Sequence, residues 1–201
     1  MTKAEFRDRI IGACRRVTEA EGELTEIDSK FGDADHGITM TKIASAIEAA
    51  AEESRGGIKA MLDDAAMAVM MINGGSAVPL WNTWLDGLQE AAPEGEEISA
   101  GELKEMFRRA YETLFALSKA KVGDKTMMDA LIPATEAMQE AGDDEAEIFN
   151  AAAEAAMKGA ENSKNFVSRF GRARSYGEAT LGTPDAGAVS MSYFFAGLAG
   201  K

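Results

Sequence analysis

Residues 99–119 read Ser99-Ala-Gly-Glu102-Leu103-Lys-Glu-Met106-Phe107-Arg-Arg-Ala110-Tyr-Glu-Thr-Leu114-Phe-Ala-Leu117-Ser-Lys119. Leu103, Met106, Phe107, Ala110, Leu114 and Leu117 recur every three or four positions, which lays one apolar stripe along a helix. Ser99 followed by Glu102 is a capping box, so the helix opens there. The same period extends in both directions. Residues 3–21 carry Phe6, Ile10, Cys14 and Val17 on one face, and residues 38–53 carry Ile38, Met40, Ile43 and Ile47. Residues 58–72 bury Met61, Leu62, Ala65, Val69 and Ile72, and residues 78–90 hold Leu80, Trp81, Trp84, Leu85 and Leu88. Residues 126–141 and 144–162 are rich in Ala, Met and Glu, which favour helix. A last helix spans about 185–199, with Pro184 in its first turn. Alternating β-branched runs are absent. The spacing therefore predicts an all-α fold, eight helices joined by short loops in one domain over 1–201.

Composition narrows the function. The chain has 201 residues, is 46% hydrophobic and carries a formal net charge of -13. Such an acidic surface argues against nucleic acid and against an anionic membrane as partners. An acidic protein that handles phosphates needs a metal between the two. Cys14 is the only cysteine, so no intrachain disulfide forms, and its place on the apolar stripe reads as a small buried residue. No apolar signal core and no run of about 18 apolar residues is present; the expected compartment is the cytoplasm. The methionines and the Trp81/Trp84 pair read as core filling.

Four segments interrupt the helical texture. The first is Asp28-Ser-Lys-Phe-Gly-Asp33-Ala-Asp35-His36-Gly37, which gathers three carboxylates and the chain's single histidine. Crowded carboxylates repel unless a cation sits among them, and oxygen ligands without thiols suit Mg²⁺ or Ca²⁺. The same composition also describes a solvated acidic turn. The spacing lacks the Glu that an EF-hand needs at its twelfth position. Main-chain N–H groups at the following helix start, 37–39, suit phosphate oxygens. The second segment, Asn73-Gly-Gly-Ser-Ala-Val-Pro79, places paired glycines before a helix. The third is Lys121-Val-Gly-Asp-Lys-Thr-Met127, where Asp124 or Thr126 is a candidate helix cap. The fourth runs from Gly171-Arg-Ala-Arg through Leu181-Gly-Thr-Pro-Asp-Ala-Gly187, and Arg172 and Arg174 are rare positive charges suited to a transferring phosphoryl group. P-loop and protein-kinase motifs are absent.

In order, these stretches resemble the nucleotide-binding L subunit of dihydroxyacetone kinase, the DAK2 domain family. The resemblance rests on Leu24 to Gly37, on Gly74-Gly75 with Pro79-Leu80, on Val122-Gly-Asp-Lys-Thr-Met127, and on Gly171-Arg-Ala with Asp185-Ala-Gly187. It implies an eight-helix antiparallel barrel with a nucleotide, ADP or ATP, at one end. It implies that Asp28, Asp33 and Asp35 hold two Mg²⁺ ions that bridge the phosphates. By the same resemblance His36, Gly37, Ile38 and Thr39 touch phosphate, and Gly75, Ser76 and Ala77 cradle the terminal phosphate. Thr126 and Met127 then lie by the adenine, Asp185, Ala186 and Gly187 close the site, and Arg172 is the catalytic and phosphate-binding arginine.

The resemblance also implies a phosphotransferase active only with a partner. The hydroxyketone acceptor of such kinases is held by a histidine on a separate K-type subunit, and this chain's one histidine lies in the metal loop. The donor is either ATP or a phosphocarrier protein of the sugar phosphotransferase system that recharges bound ADP. A homodimer is left open. The chain departs from the family pattern at several points. Ala77 and Val78 stand where Ser and Gly are usual, and Val78 would take a glycine's positive φ only at a cost. Ala34 stands for Gly, Thr39 for Asn, and Ala186 for Pro. These changes motivate an alternative: a nucleotide-bound paralogue that acts as a binding or regulatory module.

Overall fold

The computed structural model describes residues 1–201. Nine α-helices occur in the order α1 (Lys3–Glu19), α2 (Glu21–Ser29), α3 (His36–Glu53), α4 (Ile58–Met70), α5 (Ala77–Ala91), α6 (Ala100–Ser118), α7 (Met128–Glu140), α8 (Glu145–Asn162) and α9 (Ala186–Leu198). Two 3-10 segments, Ser163–Asn165 and Arg172–Thr180, separate α8 from α9. All eight expected helices form. The addition is α2, whose one buried residue is Leu24, too little to show as a stripe. The capping box at Ser99 and Glu102 forms as expected, and Thr2 with Glu5 makes a second at the start of α1.

Leaving α2 aside, each helix packs on the next, and α9 returns to pack on α1, so the eight long helices close a ring. Direction is fixed at the seams. Arg9 donates to the Leu198 carbonyl at 2.6 Å while Arg16 stacks over the Tyr193 ring at 4.4 Å, so α1 and α9 run antiparallel. At this seam a Cβ on Gly197 would stand 2.4 Å from the Ala13 Cα, so only glycine allows that approach.

Six aromatic side chains fill the barrel. Trp84 meets Phe107 at 5.8 Å and Phe194 at 5.4 Å, and Phe107 meets Phe149 at 6.2 Å, all near edge-to-face. Trp81 and Phe195 complete the cluster. Helix α9 is apolar on nearly every side and is buried accordingly.

Four sequence expectations need correction. Ile38 is 45% exposed, because the buried face of α3 is carried by Met40, Ile43, Ala44 and Ile47, with which Ile38 is out of phase. Leu117 is exposed as well, since the last turn of α6 opens onto a cavity that Leu117 lines. Pro184 precedes the N-cap Asp185 of α9 rather than sitting in its first turn. The methionine reading holds for Met40, Met61, Met106, Met127, Met128, Met138 and Met191, while Met67, Met70, Met71 and Met157 are exposed. No helix is long and apolar enough to cross a membrane.

Candidate nucleotide and metal site

One end of the barrel opens into a cavity of about 470 Å³. All four interrupting segments reach it. Its lining is apolar at Leu80, Trp81, Leu114 and Met128 and charged at Asp28, Asp33, Asp35 and Arg172.

The α2–α3 turn brings the aspartates together. Gly32 N–H donates to the Asp28 carbonyl at 2.6 Å, which ends α2 in a tight turn. A Cβ on Gly32 would lie 2.0 Å from the Asp28 carboxylate, so that carboxylate sits directly against the glycine. Asp28 Oδ2 accepts from the N–H of Asp35 at 3.1 Å and of His36 at 3.4 Å. One carboxylate oxygen from each of Asp28, Asp33 and Asp35 lies within 4.8 Å of the others. Arg172 forms an ion pair with Asp33. Burial raises the Asp35 carboxyl above its ordinary range, and the nearby charges of Asp33 and Asp28 raise it further. Three hard oxygens converging, with mutual repulsion left over, fit a divalent cation by donor chemistry and by charge.

His36 opens α3 and is tied to α9: its Nε2 lies 3.1 Å from Ser190 Oγ, whose hydroxyl reaches the Gly187 carbonyl at 3.0 Å. Burial lowers the imidazole's pKa, while the Asp28 charge works against that shift. Thr39 lines the cavity one turn on. Gly37 and Ile38 do not line it. Gly37 faces α2, where a Cβ would stand 2.1 Å from the Glu21 carbonyl, and the Ile38 side chain points to solvent.

Gly75, Ser76 and Ala77 line the cavity at the start of α5, an end that no side chain caps. Unsatisfied N–H groups at a helix start attract anions. Val78 lies inside α5, outside the positive-φ residues of the chain. The expected backbone cost there is therefore corrected, because the turn is completed before Val78. Val78 instead packs on Gly74, where an added Cβ would stand 2.7 Å from its Cγ2.

Thr126 and Met127 line the cavity where the 121–127 segment enters α7. Asp129 holds this segment, accepting from the N–H of Gly123 at 2.6 Å and of Thr126 at 2.7 Å. Asp124 is not a cap for α7; it accepts from its own turn at Lys121 and lies 3.6 Å from Arg169. Asp185, Ala186 and Gly187 line the cavity beside this segment, and a Cβ on Gly187 would lie 3.4 Å from the Met127 Cβ. Asp185 caps α9 through the Ala188 N–H at 2.8 Å, and burial pushes its carboxyl up to about 7.

The DAK2 domain matches residues 30–200. This chain belongs to the DAK2 domain family. The DAK2 chain is 30% identical over 194 residues to the PEP-dependent dihydroxyacetone kinase, ADP-binding subunit DhaL, of Escherichia coli, which covers 92% of this chain and 91% of that subunit. It is 36% identical over 181 residues to an L-erythrulose kinase of Pectobacterium atrosepticum, covering 85% of this chain and 30% of that protein. The chain thus spans about a third of the length of the erythrulose kinases it matches. Its fold is similar to that of about a third of the dihydroxyacetone kinase of C. freundii, solved in complex with AMP-PNP and Mg²⁺, with a TM-score of 0.75, 22% identity, and coverage of 98% of this chain and 34% of that one.

Three residues that brace the cavity carry no candidate role in the sequence: Asp129, which holds Thr126, Ser190, which holds His36, and Lys125. A buried lysine or a helical serine carries no local signal. Their partners arrive from segments 38 or more residues away, except for Asp129, which serves the loop just before it.

Proposed function

We propose that this chain is the nucleotide-binding phosphotransferase subunit of a hydroxyketone kinase, passing phosphate to a substrate held on a separate K-type subunit. The observation that carries the reading is the convergence of Asp28, Asp33 and Asp35 beside Arg172 at the mouth of a half-apolar cavity. Asp28, Asp33 and Asp35 would hold two Mg²⁺ ions against the phosphates of ADP or ATP; bound magnesium supplies the neutralisation that lets phosphate oxygens approach carboxylates. The apolar lining at Leu80, Leu114 and Met127 takes the base. The open start of α5 donates main-chain N–H groups to the terminal phosphate. Arg172 holds charge on the moving group, and His36, fixed by Ser190, faces the phosphates. Phosphoryl transfer depends mostly on this kind of positioning and charge compensation.

The activities named for the relatives extend the reading. The PEP-dependent DhaL subunit favours bound ADP recharged by a phosphocarrier protein as donor, and the erythrulose kinases favour a C3 or C4 hydroxyketone as acceptor. The acceptor subunit would dock at the cavity end, where Leu117 and Phe170 are exposed at the rim. The test is phosphorylation of dihydroxyacetone or erythrulose after mixing with a K-type subunit and either ATP or a phosphocarrier system. Asp33→Asn should abolish turnover and strip Mg-ADP from the purified chain, read by mass spectrometry. Absence of turnover with every such combination would remove the reading. A binding or regulatory role keeps one motive, the missing hydroxyl at Ala77; it predicts that Ala77→Ser creates activity that the native chain lacks.

A further inference from the structure

Lys125 is 4% exposed, and its ammonium lies inside a cage of main-chain carbonyls. It donates to the carbonyls of Ser163 at 2.9 Å, Phe166 at 3.1 Å, Thr180 at 2.8 Å and Thr183 at 2.5 Å. An ammonium has three protons, so four acceptors at these distances share them, as carbonyls share a monovalent cation. The four carbonyls are not scattered. Ser163 and Phe166 lie where the chain leaves α8, and Thr180 and Thr183 lie where it returns to α9. One positive charge therefore joins both ends of the 163–183 excursion. Three further bonds cross the same neck: Gly182 N–H to the Lys164 carbonyl at 2.8 Å, Ser168 N–H to Thr180 Oγ1 at 3.1 Å, and Asp185 N–H to Ser163 Oγ at 2.9 Å.

Beyond the neck the excursion is thinly held. Residues 171–176 are exposed apart from Ala173, and Gly171 and Gly177 both take positive φ, +61° and +54°. Between those two glycines stand Arg172, paired with Asp33, and Tyr176, whose ring lies 5.3 Å from that of Phe31. The tip thus reaches the aspartate turn through two side chains; its remaining order comes from its base and from Arg169, whose N–H donates to the Asp124 carbonyl at 3.1 Å in the same loop that carries Lys125. Carbonyls turned inward around a cavity repel one another unless a cation sits among them.

We propose that Lys125 is the positioning residue for Arg172: its ammonium closes the neck of the 163–183 excursion and so sets where the guanidinium stands over the metal aspartates. This rests on the reading of Arg172 as a phosphate contact. Lys125 itself touches no substrate, because every proton it offers is directed to the chain's own carbonyls.

The test uses the full chain and the affinity for Mg-ADP, which needs no partner subunit. Lys125→Met should weaken Mg-ADP binding roughly 10- to 100-fold, the range found when outer supports of a binding group are removed. Arg172→Ala should weaken it comparably, and the double variant should bind no worse than Arg172→Ala alone. A second variant, Lys125→Ala, should recover affinity when n-propylammonium, which replaces the three deleted carbons and the ammonium, is added at millimolar concentration, whereas sodium at equal ionic strength should have no effect. Hydrogen exchange on the native chain covers the case in which the variants do not fold: the N–H groups of Ser168, Gly182 and Asp185 should be protected as slowly exchanging sites without nucleotide. Unchanged affinity in Lys125→Met, losses that multiply in the double variant, no amine recovery in a folded Lys125→Ala, or fast exchange at the neck would each overturn the inference. Failure of the native chain to bind Mg-ADP would instead overturn the functional reading.

Discussion

At the scale of single residues, two positions show how far chemistry follows from placement. Ala34 sits between Asp33 and Asp35 at φ +59°, a conformation that costs a non-glycine residue about 1 kcal/mol or more. Ala34→Gly should therefore leave the aspartate geometry intact and raise stability by up to about 1 kcal/mol, part of the gain being offset by unfolded-chain entropy; urea unfolding midpoints measure it. Asp185 makes the opposite kind of test. Its carboxyl is pushed up to about 7, first by burial, with the Ala188 N–H working against the shift. In the unfolded chain it titrates near 3.8. Between those values the folded protein holds a proton that the unfolded chain releases, so this group's stabilisation falls as pH rises from about 4 to about 7. Asp185→Asn keeps an N-cap oxygen for α9 but cannot titrate. Its stability should gain on the native chain's between pH 5 and pH 7.5; a difference independent of pH would show that Asp185 is not a raised carboxyl. The aspartates were legible in the sequence because all three lie within eight residues. The importance of Lys125 was not, since a lysine reads as solvated until the chain has gone round the excursion and brought four carbonyls to it.

At the scale of elements, close helix contacts connect the frame to the site. Gly159 of α8 packs on α7, where an added Cβ would lie 2.0 Å from the Asp129 carbonyl. Asp129 in turn holds the Gly123 and Thr126 amides. Gly159→Ala should push the two helices apart, cost about 1–3 kcal/mol of stability, and weaken Mg-ADP binding through the 121–127 segment. Gly22→Ala is the control, because nothing lies within 4 Å of its added Cβ. Equal thermal stability for the two variants would refute the packing argument. Helices with a long buried face, such as α6 and α5, were readable from periodicity, while α2 was not, with one buried residue in nine. The arginine segment reads as a loop in the sequence and forms two short 3-10 turns, because Gly177 at φ +54° breaks any longer regular run. The cost expected at Val78 vanished for a similar reason: residues 73–76 make the turn, and α5 has begun by Ala77.

At the scale of the molecule, the ring closes by bringing α9 against α1, and the cavity at its end is lined by residues from 27 to 187. A ligand there touches segments drawn from most of the sequence, so its binding energy is added to the folding of the whole chain rather than to one loop. The net charge of -13 opposes both compaction and the approach of a polyphosphate. Nucleotide without metal would set phosphate oxygens against Asp28, Asp33 and Asp35; with magnesium the same oxygens become partners. Stabilisation should therefore require both components together. At a hundred times the dissociation constant, Mg-ADP should add about 2.7 kcal/mol, which for a chain of this size raises the melting temperature by roughly 5–10 °C. ADP with a chelator should leave the melting temperature unchanged, magnesium alone should shift it far less than the pair, and Asp33→Asn should lose most of the paired shift. Differential scanning fluorimetry with the four combinations decides it: an equal shift from ADP in the presence of chelator would show that the nucleotide is held without the aspartate cluster, and the metal-bridged reading of this cavity would then fail.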